Sequence, residues 1–150
     1  MSKKKIFWIL ILLAAAAGGW YAYREYTRTN KDLANVKADV KISAVAFIKE
    51  YETNDSAANK KYLGKIIEAT GLLKEVKKDE SGYFTVVLGD SSGLSSVRCS
   101  IDTNHRQDAA LLKTGSSVTI RGACTGFNKD EMGLGSDVIL NRCAIIKKEN

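Results

Sequence analysis

Hydrophobic and polar residues alternate along five stretches in the second half of the chain. Alternation with a period of two is typical of strands that pack one face against a core. The first stretch, 65–78 (KIIEATGLLKEVKK), is longer than an ordinary strand and has a glycine at its centre, which suits a strand that bends. The four shorter stretches are GYFTVVL (82–88), LSSVRCSI (94–101), SVTIRGAC (117–124) and DVILNRCAII (137–146).

A helical pattern, NHRQDAALL (104–112), separates the third of these strands from the fourth. One long bent strand, two strands, a helix and two more strands is the order of a small closed Greek-key barrel, the OB-fold. We therefore predict a mainly β protein whose five-stranded barrel occupies residues 64–150. Ligands of such barrels bind to the face of the second and third strands and to the neighbouring loops.

The segment 38–63, before the barrel, carries the pattern of one or two amphipathic helices. Its apolar residues recur at i, i+3, i+4 and i+7, which is typical of one helix face. These residues are Ala44, Phe47, Ile48 and Tyr51. The polar break at 54–56 can cap a second short helix through Lys61. We expect the apolar face to pack on the barrel; a surface for a partner protein is the alternative.

Residues 6–23 (IFWILILLAAAAGGWYAY) form an uncharged apolar stretch. As a helix it would be about 27 Å long, close to the roughly 30 Å hydrocarbon layer of a bilayer. Lysines precede it at 3–5, and the aromatic residues at its end suit a membrane interface. We predict an inner-membrane anchor over 1–23, a polar stalk over 24–37 and a periplasmic C-terminal domain. The alternative is a signal peptide cleaved among its small residues, which would leave a secreted or periplasmic protein.

The positive charge of the chain is concentrated around this stretch. Seven Lys and Arg against two acidic residues give residues 1–37 a charge of +5, which leaves +1 of the total +6 for residues 38–150. A nearly neutral domain weakens the electrostatic case for a nucleic-acid binder.

Three cysteines lie on predicted strands. Cys124 and Cys143 belong to strands expected to be antiparallel neighbours, whose Cα atoms lie about 4.5–5.5 Å apart, a distance that a disulfide can bridge. In an oxidising compartment we predict a Cys124–Cys143 disulfide and a free, buried Cys99. A Cys99–Cys143 bridge is the alternative, because the third and fifth strands of a closed barrel can also touch. The spacings fit no zinc pattern, so no metal site is predicted.

Four segments of the chain carry a resemblance to a known family. They are YLGKIIEATGL (62–72), VRCSI (97–101), SVTIRGACTGF (117–127) and DVILNRCAII (137–146). Over roughly residues 40–147 the sequence resembles the tRNA-anti-like OB-fold family, which consists of bacterial proteins with an exported or membrane-tethered N-terminus and one barrel. The pairing of G-x-C-T-G with D-V-x-L-x-x-C is the most specific part of the resemblance. The family is named for a distant likeness to the anticodon-binding domain of tRNA synthetases, and no family-wide binding motif is available to match here.

The layout is also similar to the tethered haem chaperone of cytochrome c maturation. That protein attaches haem through a histidine in a C-terminal H-x-x-x-Y pattern. The only histidine of this chain, His105, lies between the third and fourth strands, and the C-terminus has no such pattern. No haem or other cofactor is expected.

Catalytic motifs such as G-x-S-x-G, a phosphate loop or H-E-x-x-H do not occur, so we predict no catalytic residues. We expect a non-catalytic module of the cell envelope that binds a protein, peptide or glycan through strands two and three and the loop 125–136. The candidate ligand-face residues are Tyr83, Thr85, Arg98, Arg121, Phe127 and Lys129. For the loop 125–136 the alternative is that Phe127 and Leu134 fold back and close the mouth of the barrel.

One alternative function is a single-stranded oligonucleotide binder that stacks bases on Tyr83 or Phe84 and on Phe127. In that case Arg98, Arg121 and Lys129 would contact phosphates. Another alternative is a periplasmic enzyme of unknown reaction.

Overall fold

The computed structural model describes residues 3–26 and 31–146. The chain divides into two compact units, with the boundary between Lys31 and Asp32. The first unit contains one helix, α1 (Lys3–Tyr26). The second, the barrel unit, contains β1 (Val40–Ser43), α2 (Ala44–Thr53), α3 (Asp55–Tyr62), β2 (Ile66–Lys78), β3 (Phe84–Gly89), β4 (Ser96–Ile101), α4 (Arg106–Ala110), β5 (Ser117–Asn128) and β6 (Asp137–Ile146). Short 3-10 turns lie at Leu33–Asn35 and Thr103–His105.

Helix α1 covers the whole apolar stretch predicted as an anchor, and its described side chains are exposed. Within residues 3–26 and 31–146, none of the helices has both the length and the hydropathy of a membrane span. The helical conformation is therefore found, whereas the membrane anchor is not confirmed and stays a prediction.

Five strands close into a barrel in the order β2–β3–β4–β6–β5, with β5 pairing back onto β2. The pairs are antiparallel except for β4 and β6, which run parallel. The helix α4 lies between β4 and β5 in the chain, as expected for an OB-fold. This arrangement confirms the predicted fold class.

Long strand β2 serves both halves of the barrel. Its residues up to Leu72 pair with β5, and those from Leu72 onward pair with β3. Gly71 lies at this change of partner, where a Cβ atom would approach the Cβ of Ala44 to 2.6 Å. The glycine is required because α2 begins directly against the strand.

The barrel interior is filled by the inward-facing residues of all five strands. These fully buried aliphatic side chains are Ile67, Leu73, Val86, Leu88, Val97, Ile120, Val138 and Leu140. Burial of each stabilises the fold by about 1.5–3 kcal/mol.

Helix α2 buries the predicted apolar stripe against the barrel core. It begins later than the sequence pattern indicated, because the Ser43 side chain caps it by accepting a hydrogen bond from the amide of Ala46 at 3.2 Å. The residues before it, Val40–Ser43, form the extra strand β1, which pairs in parallel with Ile67–Thr70 of β2. The prediction of a purely helical segment over 38–63 is therefore corrected at its start, where β-branched residues favour a strand.

The predicted polar stalk, 24–37, is also corrected in part. Residues 27–30 lie outside the described residues, but Asp32–Val36 pack on the barrel, and we call this segment the strap. Leu33 is buried, and the Arg121 guanidinium donates hydrogen bonds to three strap carbonyls. The strap is thus part of the barrel unit and not a free linker.

All three cysteines are buried free thiols, so the predicted Cys124–Cys143 disulfide is not formed. The register of β5 with β6 places Cys124 opposite Leu140, three residues before Cys143. Three strand residues span about 10 Å, beyond the roughly 7 Å limit for a disulfide. The alternative Cys99–Cys143 bridge is not formed either. Burial and the neighbouring Cys99 thiol raise the pKa of the Cys143 thiol.

Candidate binding surfaces

The outer face of β3 and β4 carries three of the predicted ligand-face residues. Thr85 on β3 pairs with Ser100 on β4, and Val87 pairs with Arg98. Because directly paired residues share a face, these side chains lie in two adjacent rows. We call this surface, with Tyr83 at its end, the sheet face.

Tyr83 lies on the turn that leads into β3. Asp79 fixes this turn, because its carboxylate accepts a hydrogen bond from the Tyr83 amide at 2.8 Å. Tyr83 is 49% exposed. The guanidinium carbon of Arg106 lies 4.5 Å from the centroid of its ring, a distance typical of a cation–π contact. Tyr83 is the one aromatic side chain classed as exposed within the described part of the barrel unit, 32–146.

Arg98 lies at the centre of the sheet face and is bound to a carboxylate. Its Nε donates to Asp137 Oδ2 at 2.5 Å, and the hydroxyl of Ser96 donates to the other oxygen of the same carboxylate. The charge of Arg98 is therefore already matched within the protein. Nearby on β2, Lys77 forms an ion pair with Glu75 at 3.2 Å.

Arg121 does not join the sheet face. Its side chain is only 14% exposed, and its Nη2 lies 2.6 Å from Glu68 on β2. Its Nη1 donates to the carbonyls of Leu33, Ala34 and Val36 at 3.4, 2.9 and 2.6 Å. The hydrogen bond from Arg121 lowers the pKa of Glu68. The hydrogen bonds of this arginine are made within the protein, where it links the strap to Glu68.

Phe127 and Lys129 lie on the helical side of the barrel unit. The Phe127 ring stacks on the buried Tyr51 of α2, with centroids 4.9 Å apart and planes at 25°. Lys129 lies 4.0 Å from Asp55 of α3. The structure thus places Thr85 and Arg98 on one face of two paired strands and Tyr83 on the turn before β3. The other three predicted residues lie elsewhere.

Two loops beside the sheet face expose large apolar side chains. Leu94 on the β3–β4 loop is 70% exposed, and Met132 and Leu134 on the β5–β6 loop are 85% and 75% exposed. We call these three residues the loop patch. The sequence indicated the β5–β6 loop as a binding element, but β5 extends to Asn128, which shortens this loop to residues 129–136.

The two loops hold each other in place. The Ser136 amide donates to the Ser95 hydroxyl at 3.1 Å, and the Ser96 amide donates to the Ser136 carbonyl at 3.0 Å. Gly135, at φ +102°, packs so closely on Leu94 that a Cβ would lie 2.4 Å from the Leu94 carbonyl oxygen. The loop patch is therefore presented by a braced pair of loops.

The family model described as tRNA_anti-like matches residues 1–143 of the chain. The protein belongs to this family. No curated protein is significantly similar to it in sequence.

Among solved structures, this tRNA_anti-like protein is similar to a proposed nucleic acid-binding lipoprotein from Klebsiella pneumoniae, with 21% identity and a TM-score of 0.56 over 79% of this chain and 100% of that one. It is also similar to asparaginyl-tRNA synthetase from Entamoeba histolytica, with 17% identity and a TM-score of 0.42 over 76% of this chain and 25% of that one. The first similarity supports the OB-fold.

Two side chains of the tRNA_anti-like barrel that contact predicted ligand-face residues were not predicted from the sequence. Arg106 contacts Tyr83 from α4, and Asp137 binds Arg98 from the first position of β6. The contact of Asp137 with Arg98 is predictable from strand pairing, because Asp137 is the first residue of a strand expected beside β4. The contact of Arg106 with Tyr83 depends on where α4 packs, and no local sequence pattern indicates that position. In the described residues no group of three or more His, Cys, Asp and Glu side chains could hold a metal ion.

Proposed function

We propose that this tRNA_anti-like protein is a non-catalytic binding module, held at the cell envelope by α1, whose barrel binds a protein partner through the loop patch. The observation that carries this proposal is the exposure of Leu94, Met132 and Leu134 on two loops that brace each other. Large apolar side chains exposed on two neighbouring loops are typical of interaction sites.

Burial of the loop patch by a partner supplies a favourable free energy that is comparable to the cost of association, which supports moderate affinity for that partner. Complete burial of each leucine or methionine contributes about 1.5–3 kcal/mol. Association costs about 4–15 kcal/mol in lost freedom of the partners. The patch therefore acts as an anchor, and neighbouring contacts must supply the remainder.

A second candidate, binding of single-stranded nucleic acid, is favoured by the exposed ring of Tyr83 beside Arg106. Such proteins combine stacking rings with a positively charged groove. On the sheet face, however, Arg98 and Lys77 are paired with carboxylates. Phe127 lies elsewhere and is stacked on Tyr51. These pairings favour the protein partner.

Site-specific crosslinking in intact cells tests the two candidates. A photoreactive residue is placed at position 134 or 83 of the full-length protein, and at Leu111, an equally exposed leucine outside the loop patch, as a control. We expect a discrete protein adduct at position 134 that is lost in Leu94→Ser and absent at position 111. Nuclease-sensitive adducts at position 83, with none at 134, would favour nucleic acid instead.

A further inference from the structure

We infer that the partner segment that covers the loop patch is basic and amphipathic, with apolar side chains flanked by lysine or arginine. This inference rests on the proposed function and names the chemistry of the partner. It comes from the charges that surround Leu94, Met132 and Leu134.

Carboxylates outnumber ammonium groups around the loop patch. Charged side chains that lie on the two loops, bind to them or line the groove beside Leu94 are the carboxylates Glu52, Asp55, Asp90, Asp130 and Glu131 and the ammonium groups Lys49, Lys74 and Lys129. Lys129 is close to Asp55, and the Lys74 ammonium donates to the Gly93 carbonyl at 2.5 Å. The surroundings are therefore acidic, although residues 38–150 as a whole carry +1.

Several of these carboxylates are fixed in place by the loops themselves. Asp130 accepts hydrogen bonds from the amides of Met132 and Leu134, and Glu52 accepts one from the Ser95 hydroxyl at 2.5 Å. The Ser92 hydroxyl donates to Asp90 and lowers the pKa of that carboxyl. The same residues that shape the loops thus keep negative charge beside the apolar side chains.

A groove next to Leu94 can accommodate an apolar side chain of the partner. It has a volume of about 370 Å³, with Val45, Ile48 and Leu94 as apolar lining and with Glu52, Asp90 and Lys49 as charged lining. Apolar side chains can enter this groove while cations beside them meet the carboxylates. An anionic lipid surface is disfavoured, because the same carboxylates would repel it.

Two labelled peptides test this inference against the full-length protein in non-ionic detergent. Both are 18-residue amphipathic helices with leucine on one face; one carries lysine on the other face and its match carries glutamate. We expect the lysine peptide to bind at least about tenfold more tightly at low salt, with a difference that shrinks as salt rises. Fluorescence anisotropy measures both affinities.

The double variant Leu94→Ser/Leu134→Ser, in the same detergent, supplies the background of micelle binding, because both side chains are exposed and can change without disturbing the core. We expect it to lose the lysine-peptide signal, and Leu111→Ser to keep it. Binding that needs Leu94 and Leu134 but does not distinguish the peptides would overturn the inference and leave the protein-binding surface standing. Equal binding of the lysine peptide by the double variant would overturn both, as would self-association of the protein through these leucines.

Discussion

At the residue scale, Arg121 joins three parts of the barrel unit. Its guanidinium extends from β5. It donates hydrogen bonds to the Glu68 carboxylate on β2 and to a carbonyl oxygen of the strap. Both charged side chains are almost buried, at 14% and 11% exposure. Breaking such a pair leaves a buried charge without its partner, which is costly.

The Glu68–Arg121 pair predicts a loss of stability in acid. Because the folded-state pKa of Glu68 lies below its ordinary value of 4.5, the unfolded state binds more protons between the two values, so stability falls as pH falls through this window. Above pH 4.5 the contribution is complete, of about 1.5–3 kcal/mol for hydrogen bonds to a charged group. Urea unfolding at several pH values measures it.

Glu68→Gln should lower the free energy of unfolding at pH 7 and remove this part of the acid dependence. Glu80→Gln, on the exposed β2–β3 turn, is the matched control and should leave the profile unchanged. A wild-type profile identical to that of Glu68→Gln would show that the pair contributes nothing.

Phe127 is expected to contribute to stability and not to ligand binding. Its ring stacks on Tyr51, so Phe127→Ala should cost about 2–3 kcal/mol, somewhat less than a fully buried phenylalanine. Phe127→Leu should cost about 1 kcal/mol. Thermal and urea unfolding measure both; a stable Phe127→Ala variant with weakened ligand binding would contradict the assignment.

At the scale of elements, the position of α2 depends on the absence of a side chain at Gly71. A methyl group there would overlap the Ala44 Cβ, so Gly71→Ala should destabilise the fold by about 1–3 kcal/mol. Ala44→Gly alone should cost about 0.5–1 kcal/mol. In the double variant the methyl group is moved from one residue to the other, and we expect a coupling of at least about 1 kcal/mol. Additive losses in urea unfolding would mean that the contact is not tight.

The barrel strands could be predicted from sequence because each has a local signal. In β4 the inward residues Val97, Cys99 and Ile101 alternate, and Gly71 marks the change of partner in β2. β1 was missed because it has only four residues and precedes a strong helical stripe. The disulfide was predicted wrongly because the register of β5 with β6 places Cys124 opposite Leu140, and hydrophobic alternation identifies two strands without fixing their register across a long loop.

The candidate site was predictable only for the residues that share a strand face. Thr85 and Arg98 follow from alternation and lie together. Arg121 has the same outward phase, but its surroundings are set by the strap, which returns from 85 or more residues earlier in the chain. Sequence periodicity gives the direction of a side chain and not what covers it.

At the scale of the whole molecule, the proposed envelope location makes a clear prediction. Alkaline phosphatase fused after Asn150 should be active, because the enzyme needs an oxidising compartment for its disulfides, and a green fluorescent reporter at the same position should stay dark. The fusion without residues 1–23 is the control and should lose phosphatase activity. The reverse pattern would place the barrel in the cytoplasm and remove the envelope part of the proposal.

The hydrogen bonds of the strap also decide where the chain can be cut. A shortened protein that starts at residue 38 looks reasonable from the sequence, yet it would expose the site of Leu33 and deprive the Arg121 guanidinium of three acceptors. We expect it to be about 2–4 kcal/mol less stable in urea than one that starts at Lys31. The six residues from Asp32 to Lys37 therefore stabilise the barrel unit, and a soluble version of this protein should keep them.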